Sequence, residues 1–225
     1  MKSAHIGRAL CVGVDTTEAA GAGAEADAIA FSGIAQRQGF ASSTLLLGAA
    51  ATREAVQSQI REAAAVCRAG DLFLLTFSGH GGRRNTLGSG SEPSLRGVWV
   101  LYDGSLQDDE MHAALAEFRR GVRVLVVSDS CNGGVPVAWD EKPASPVAAS
   151  VLVLTACQHE EYADGVGLPG HFSTVLVNAW KDGGFSGYRG FHQAVVARMP
   201  PYQKPNYYWV GGRDLRFEAQ RPFTI

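Results

Sequence analysis

Two stretches constrain the fold of this 225-residue chain more than anything else in it. Asp71–Ser78 (DLFLLTFS) and Val122–Ser128 (VRVLVVS) are almost unbroken apolar runs, and each stops at a turn rich in glycine and polar residues. A strand with one wet face alternates polar and apolar residues. A continuous run is instead covered on both faces, as in a parallel sheet wrapped by helices. Shorter runs at Arg8–Val14, Ser43–Leu47 and Val151–Ala156 read as further strands, and Val98–Tyr102 as a brief one. Helical spacing appears between them, at Ala24–Gln38, Arg53–Arg68, Asp108–Arg120, Phe172–Lys181 and Tyr188–Met199. Thr52 is placed to cap the second helix, and Asp108–Arg120 has acids at its start and arginines at its end, as the helix dipole favours. Arg83–Ser94 reads as loop, Pro136–Pro146 as linker, and Pro200–Pro205 as a turn before a final strand and tail. The expected fold is α/β, with an open, mostly parallel sheet and helices on both faces. Ligands of such sheets sit at the carboxyl ends of the strands.

Composition narrows the function. The 20 basic and 22 acidic residues give a formal net charge of −2, with no basic stripe of the kind that phosphate-led nucleic-acid binding needs. The longest apolar runs are far below the roughly 20 residues that span a bilayer, and Ala9–Val14 is too short for a signal-peptide core. Cys11, Cys67, Cys131 and Cys157 are widely spread with no CxxC pair, which disfavours a zinc knuckle or a disulfide framework. The expectation is a soluble, cytoplasmic protein with reduced cysteines. Cys11, Cys67 and Cys157 read as core residues, and Trp99, Trp139, Trp180 and Trp209 as core or interface packing.

The chemistry concentrates at the two strand ends. Ser78-Gly79-His80-Gly81-Gly82 follows one long run and Asp129-Ser130-Cys131-Asn132-Gly133 the other. A thiolate nucleophile needs a partner that takes its proton and later protonates a leaving amine, and imidazole does this near neutral pH. Taken singly, a loop histidine and a small buried cysteine would be ordinary. At two adjacent strand ends they form a candidate catalytic pair.

These motifs resemble the SGHG and DSCxSG motifs of metacaspases and their bacterial relatives, the orthocaspases, which are caspase-like clan CD cysteine peptidases of family C14. The histidine lies 51 residues before the cysteine, close to the caspase spacing of roughly 50. Weaker likenesses run along the chain: Ala9–Val14 to the first strand, Ala26-Asp27-Ala28 to an early acidic helix motif, and Leu45–Ile60 to the segment from second strand to second helix. Gln107–Glu110 resembles the TDDE stretch, Phe172-Ser173-Thr174 the FTxxL helix and Tyr202–Pro205 the late QxP motif. Asn132-Gly133-Gly134 departs from the usual His-Ser-Gly.

The resemblance implies a caspase-like fold and a Cys131–His80 dyad acting through a thioester. Backbone N–H groups of Gly81 and Cys131 would form the oxyanion hole. It also implies that Asp27 and Asp129, with Ser78, line a pocket for the substrate's basic side chain. Two carboxylates suit a guanidinium better than an ammonium, so Arg should be preferred to Lys. Only Asp108 and Asp109 match the family's calcium-binding carboxylates, with Ala138 where another ligand would stand. Calcium dependence is therefore disfavoured, and no cofactor or metal is expected. The chain divides into a large-subunit-like part (1–134), a linker (135–150) and a small-subunit-like part (151–225). Arg83, Arg84 and Lys142 are candidate processing sites in exposed segments. Expected partners are proteins or peptides with basic residues and an upstream activating protease or sensor, with neither nucleic acid nor membrane. Bacterial relatives often act in cell-death or defence signalling. The alternatives are a thiol amidase acting on a small substrate, or a catalytically silent caspase-like interaction module.

Overall fold

The computed structural model describes residues 5–15, 23–86, 94–130, 145–156 and 171–225, with backbone alone for 83–86 and 94–96. Six strands form the main sheet: β1 (Gly7–Gly13), β2 (Ser42–Leu47), β3 (Leu72–Ser78), β7 (Arg123–Asp129), β8 (Ser150–Thr155) and β9 (Asn206–Gly211). Their spatial order is β2-β1-β3-β7-β8-β9, parallel throughout except for the antiparallel edge strand β9. Every residue of the central strands β3 and β7 is buried, which is why their sequences run apolar without alternation.

Helices cover both faces. On one lie α1 (Ala24–Arg37), α4 (His171–Asp182), α5 (Gly187–Val196) and α6 (Leu215–Ala219), around a core that includes Phe31, Leu74, Val127, Phe172 and Phe191. On the other lie α2 (Arg53–Val66) and α3 (Asp108–Ala116), over Val56, Phe73, Phe77 and Val126. The connection from β1 to β2 runs through α1 on the first face, while that from β2 to β3 runs through α2 on the second. The chain thus reverses direction between β1 and β3, and such a switch point opens a crevice at the carboxyl ends of the strands. Thr52 caps α2 as expected, its Oγ1 accepting from Ala55 N at 3.2 Å.

Three readings need correction. The third helix stops at Ala116, so Arg119 and Arg120 lie beyond it and no basic residue stands in its last turn. Arg83–Ser94 is not loop throughout, because Gly81–Thr86 forms β4 and pairs antiparallel with β5 (Ser94–Leu101). With β6 (Gly104–Gln107) these make a separate three-stranded sheet in the order β4-β5-β6. The sequence hides β4 because GGRRNT has no apolar side chain, and its pairing is supplied entirely by backbone and by β5. The tail also contains the short helix α6, capped by Asp214, whose carboxylate accepts from Arg216 N and Phe217 N.

Candidate active site

The ends of β3 and β7 lie side by side, with Ser78 opposite Asp129. Gly79 N donates to Asp129 O at 3.1 Å, so the two turns leave the sheet together. From there His80 emerges into solvent while Ser78 and Asp129 stay buried. Cys131 lies outside the described residues. Ser130, immediately before it, is described and buried.

Strand alternation separates the side chains of this turn. Asp129 projects to the face of α1 and α4, where its carboxylate accepts from Ser173 N at 2.8 Å. Ser78 points the same way and donates from Oγ to Asp27 Oδ2 at 2.7 Å. The three residues proposed to bind substrate are therefore one cluster, drawn from β3, β7 and α1. Gly13 lets α1 approach this closely, since a Cβ there would stand 2.5 Å from Ala24 O and 2.7 Å from Glu25 Cα. Asp15 fixes the helix start by accepting from Gly23 N and Ala24 N.

Burial pushes the Asp27 carboxyl up from 3.8 to about 7. The Ser78 hydrogen bond opposes that rise, and the negative charges of Asp129 and Asp15 add to it. Burial also raises Asp129, against the hydrogen bonding of Ser173. Among the described residues neither carboxylate is paired with a lysine or arginine. Sequence reading placed Ser173 in a helix motif but missed its place in this cluster. Its N–H holds Asp129, and its Oγ, buried beside both acids, has no partner of good hydrogen-bond geometry among the described residues. Among the described residues these two buried acids therefore stand with little cationic compensation.

Gly81 stands at the start of β4, directly opposite Trp99. Val100 N donates to His80 O at 2.9 Å, making positions 80 and 100 a hydrogen-bonded pair. Antiparallel pairs alternate, so at 81 and 99 the backbone groups point outward and the Gly81 N–H is directed away from β5. β4 is one of the two edge strands of its sheet.

Other candidates fall elsewhere. Arg83 and Arg84 have their backbone in β4, and Lys142 lies outside the described residues. Asp108 and Asp109 turn carboxylate oxygens to the backbone N–H groups of Asp109 and Glu110 at the start of α3. Among the described residues no group of three or more His, Cys, Asp or Glu side chains is assembled to hold a metal ion. No helix among them is long and apolar enough to cross a membrane. Cys11 and Cys67 are fully buried; burial pushes the Cys11 thiol up to about 11 and also raises Cys67, so neither is a reactive thiolate.

A mostly parallel six-stranded sheet, with a histidine turn and a buried acidic cluster at its carboxyl edge, defines a caspase-like α/β domain. The chain belongs to the caspase-domain family of C14 peptidases, whose family model matches residues 6–217. That family consists of cysteine peptidases. A metacaspase-1B from Aspergillus terreus is 39% identical over 69 residues, covering 28% of this chain and 18% of that protein. The metacaspase-1B of Aspergillus fumigatus is 41% identical over 69 residues, covering 28% and 17%. The match thus spans less than a fifth of the length of either relative. A crystal structure of a Geobacter sulfurreducens protein superposes with a TM-score of 0.84 at 34% identity, covering 98% of this chain and 99% of the other. Caspase-1 from Spodoptera frugiperda shares the fold, with a TM-score of 0.60 at 14% identity over 93% and 88% of the two chains.

Proposed function

We propose that this chain is a cysteine endopeptidase that cleaves after basic residues, Arg in preference to Lys. The observation that carries this reading is the joining of Asp27, Ser78 and Asp129 in one buried cluster beside the His80 turn. A guanidinium entering that cluster gives its two acids a counter-charge and a planar donor fork. The peptide bond following the bound side chain then lies over the strand ends. Cys131 attacks its carbonyl as a thiolate, and His80 protonates the departing amine, leaving a thioester that water hydrolyses. The Gly81 N–H, directed away from β5, donates to the tetrahedral oxyanion together with the N–H of Cys131. Loss of one such donor costs on the order of 10²–10³ in kcat. A cell-death or defence role rests on the family likeness alone.

Processing at Arg83 or Arg84 would require a protease to open the β4–β5 ladder first, and Lys142 is the third candidate. The division into 1–134, 135–150 and 151–225 follows from the same proposal. The described end of that linker is anchored, with His112 Nε2 at 2.9 Å from Ser145 O.

Fluorogenic peptides with Arg, Lys or Asp before the scissile bond test the reading. Turnover should follow Arg, then Lys, with none after Asp, and should vanish in Cys131→Ala and His80→Ala proteins that keep the wild-type melting transition. Cleavage by Cys131→Ala, or a preference for Asp, would overturn it.

A further inference from the structure

We infer that Trp99 is a positioning residue that locks the nucleophile turn to the oxyanion turn. The inference rests on the assignment of Cys131 and Gly81 above. Trp99 is fully buried, and its two ends serve different parts of the site. Its backbone lies opposite Gly81, and the next residue, Val100, holds the His80 carbonyl. Its side chain passes to the main sheet, stacks on Phe77 at a centroid distance of 4.5 Å and donates from Nε1 to Ser128 Oγ at 3.0 Å. Ser128 Oγ lies 3.1 Å from Ser130 Oγ, and Ser130 precedes Cys131. Indole N–H is a donor only, so Ser128 accepts from it, which lets the Ser128 O–H donate onward to Ser130.

A single residue of β5 thus links the partner strand of β4, at whose start the proposed oxyanion donor stands, to the end of β7, which leads into the proposed nucleophile. Packing alone does not require this. A phenylalanine would stack on Phe77 equally well, whereas the indole adds a directional bond where β5 meets the end of β7. The three groups are sealed from water, with Trp99 and Ser128 at 0% and Ser130 at 4% exposure, so solvent cannot substitute for a lost bond. Small displacements between nucleophile and oxyanion donors are expensive, since about 1 Å of misplacement can cost on the order of 100-fold in rate.

The test compares Trp99→Phe, Ser128→Ala and the double variant with wild type, each assayed well below its own melting temperature. The substrate is an Arg-containing fluorogenic peptide, and inactivation by iodoacetamide is followed in parallel. We expect kcat to fall on the order of 10- to 100-fold in each single variant. KM should change less than about twofold, because the acidic cluster lies on the opposite face of the sheet. Inactivation by iodoacetamide should be within about threefold of wild type, because that small reagent uses no oxyanion hole. The double variant should be no slower than the slower single one, as expected for two links of one chain. Unchanged kcat in either folded single variant, or losses that multiply, would overturn the inference. Ser128→Ala keeps the Phe77–Trp99 stack and remains decisive if Trp99→Phe does not fold. Failure of the underlying assignment would look different: Cys131→Ala would then retain activity.

Discussion

Replacing Asp27 by asparagine should make this protein more stable and less useful, and the gain should depend on pH in a defined way. The carboxamide has the same shape as the carboxyl it replaces and still offers an oxygen to the Ser78 hydroxyl, so little packing is lost. What disappears is a carboxyl whose folded-state value is raised from 3.8 to about 7. Between those values the native state holds a proton that the unfolded chain has released, so stability falls as pH rises. The favourable contribution is complete below 3.8 and has gone once pH passes about 7. Each pH unit across that window is worth about 1.4 kcal/mol, so the full effect reaches at most about 4 kcal/mol. Relaxation around the buried group and its coupling to Asp129 reduce this, and about 2 kcal/mol is a fair expectation at pH 8. Urea unfolding of both proteins at pH 5, 6, 7 and 8 would show the variant's advantage growing to pH 7 and then levelling. An advantage independent of pH, or a less stable variant at pH 8, would refute the reasoning. The same variant should lose most of its turnover of Arg peptides.

Three further outcomes are expected. KM for Arg peptides should rise as pH falls below about 7 while KM for a neutral-residue control stays level, because protonation of Asp27 removes the charge that meets the guanidinium; steady-state assays from pH 5 to 8 would show it. Gly13→Ala should cost about 1–3 kcal/mol in thermal unfolding and raise KM, since the new methyl displaces the helix that carries Asp27. Thr52→Ala should cost about 1 kcal/mol by loss of its cap and leave kcat and KM unchanged, which separates stability from activity in the same assays.

The parallel sheet was legible because β3 and β7 are covered on both sides and their sequences record it residue by residue. The placement of both motifs at strand ends was legible, but the register that sets Ser78 opposite Asp129 was not, since the runs alone do not align one strand on another. β4 was not legible, since a strand without apolar residues is specified by its partner and by backbone, neither of which appears in its own sequence. Ser173 was missed for a related reason. What it contributes to Asp129 is a main-chain N–H at the start of α4, and any residue type except proline would carry that group. Trp99 read correctly as core, but burial could not reveal that its indole bridges two sheets.

The alternation of side chains along the end of β7 has a consequence for how such a domain can diversify. Ser128 and Ser130 face one layer of the protein and Asp129 the other. On the proposed reading, what the chain cuts is written in α1 and α4, and the alignment of its reacting groups is written in β5. The two sets of residues share the strand but not a packing environment, so drift in one layer leaves the other intact. A lineage could exchange one proposed side-chain preference for another by rebuilding the helical layer, carrying the other layer across unchanged.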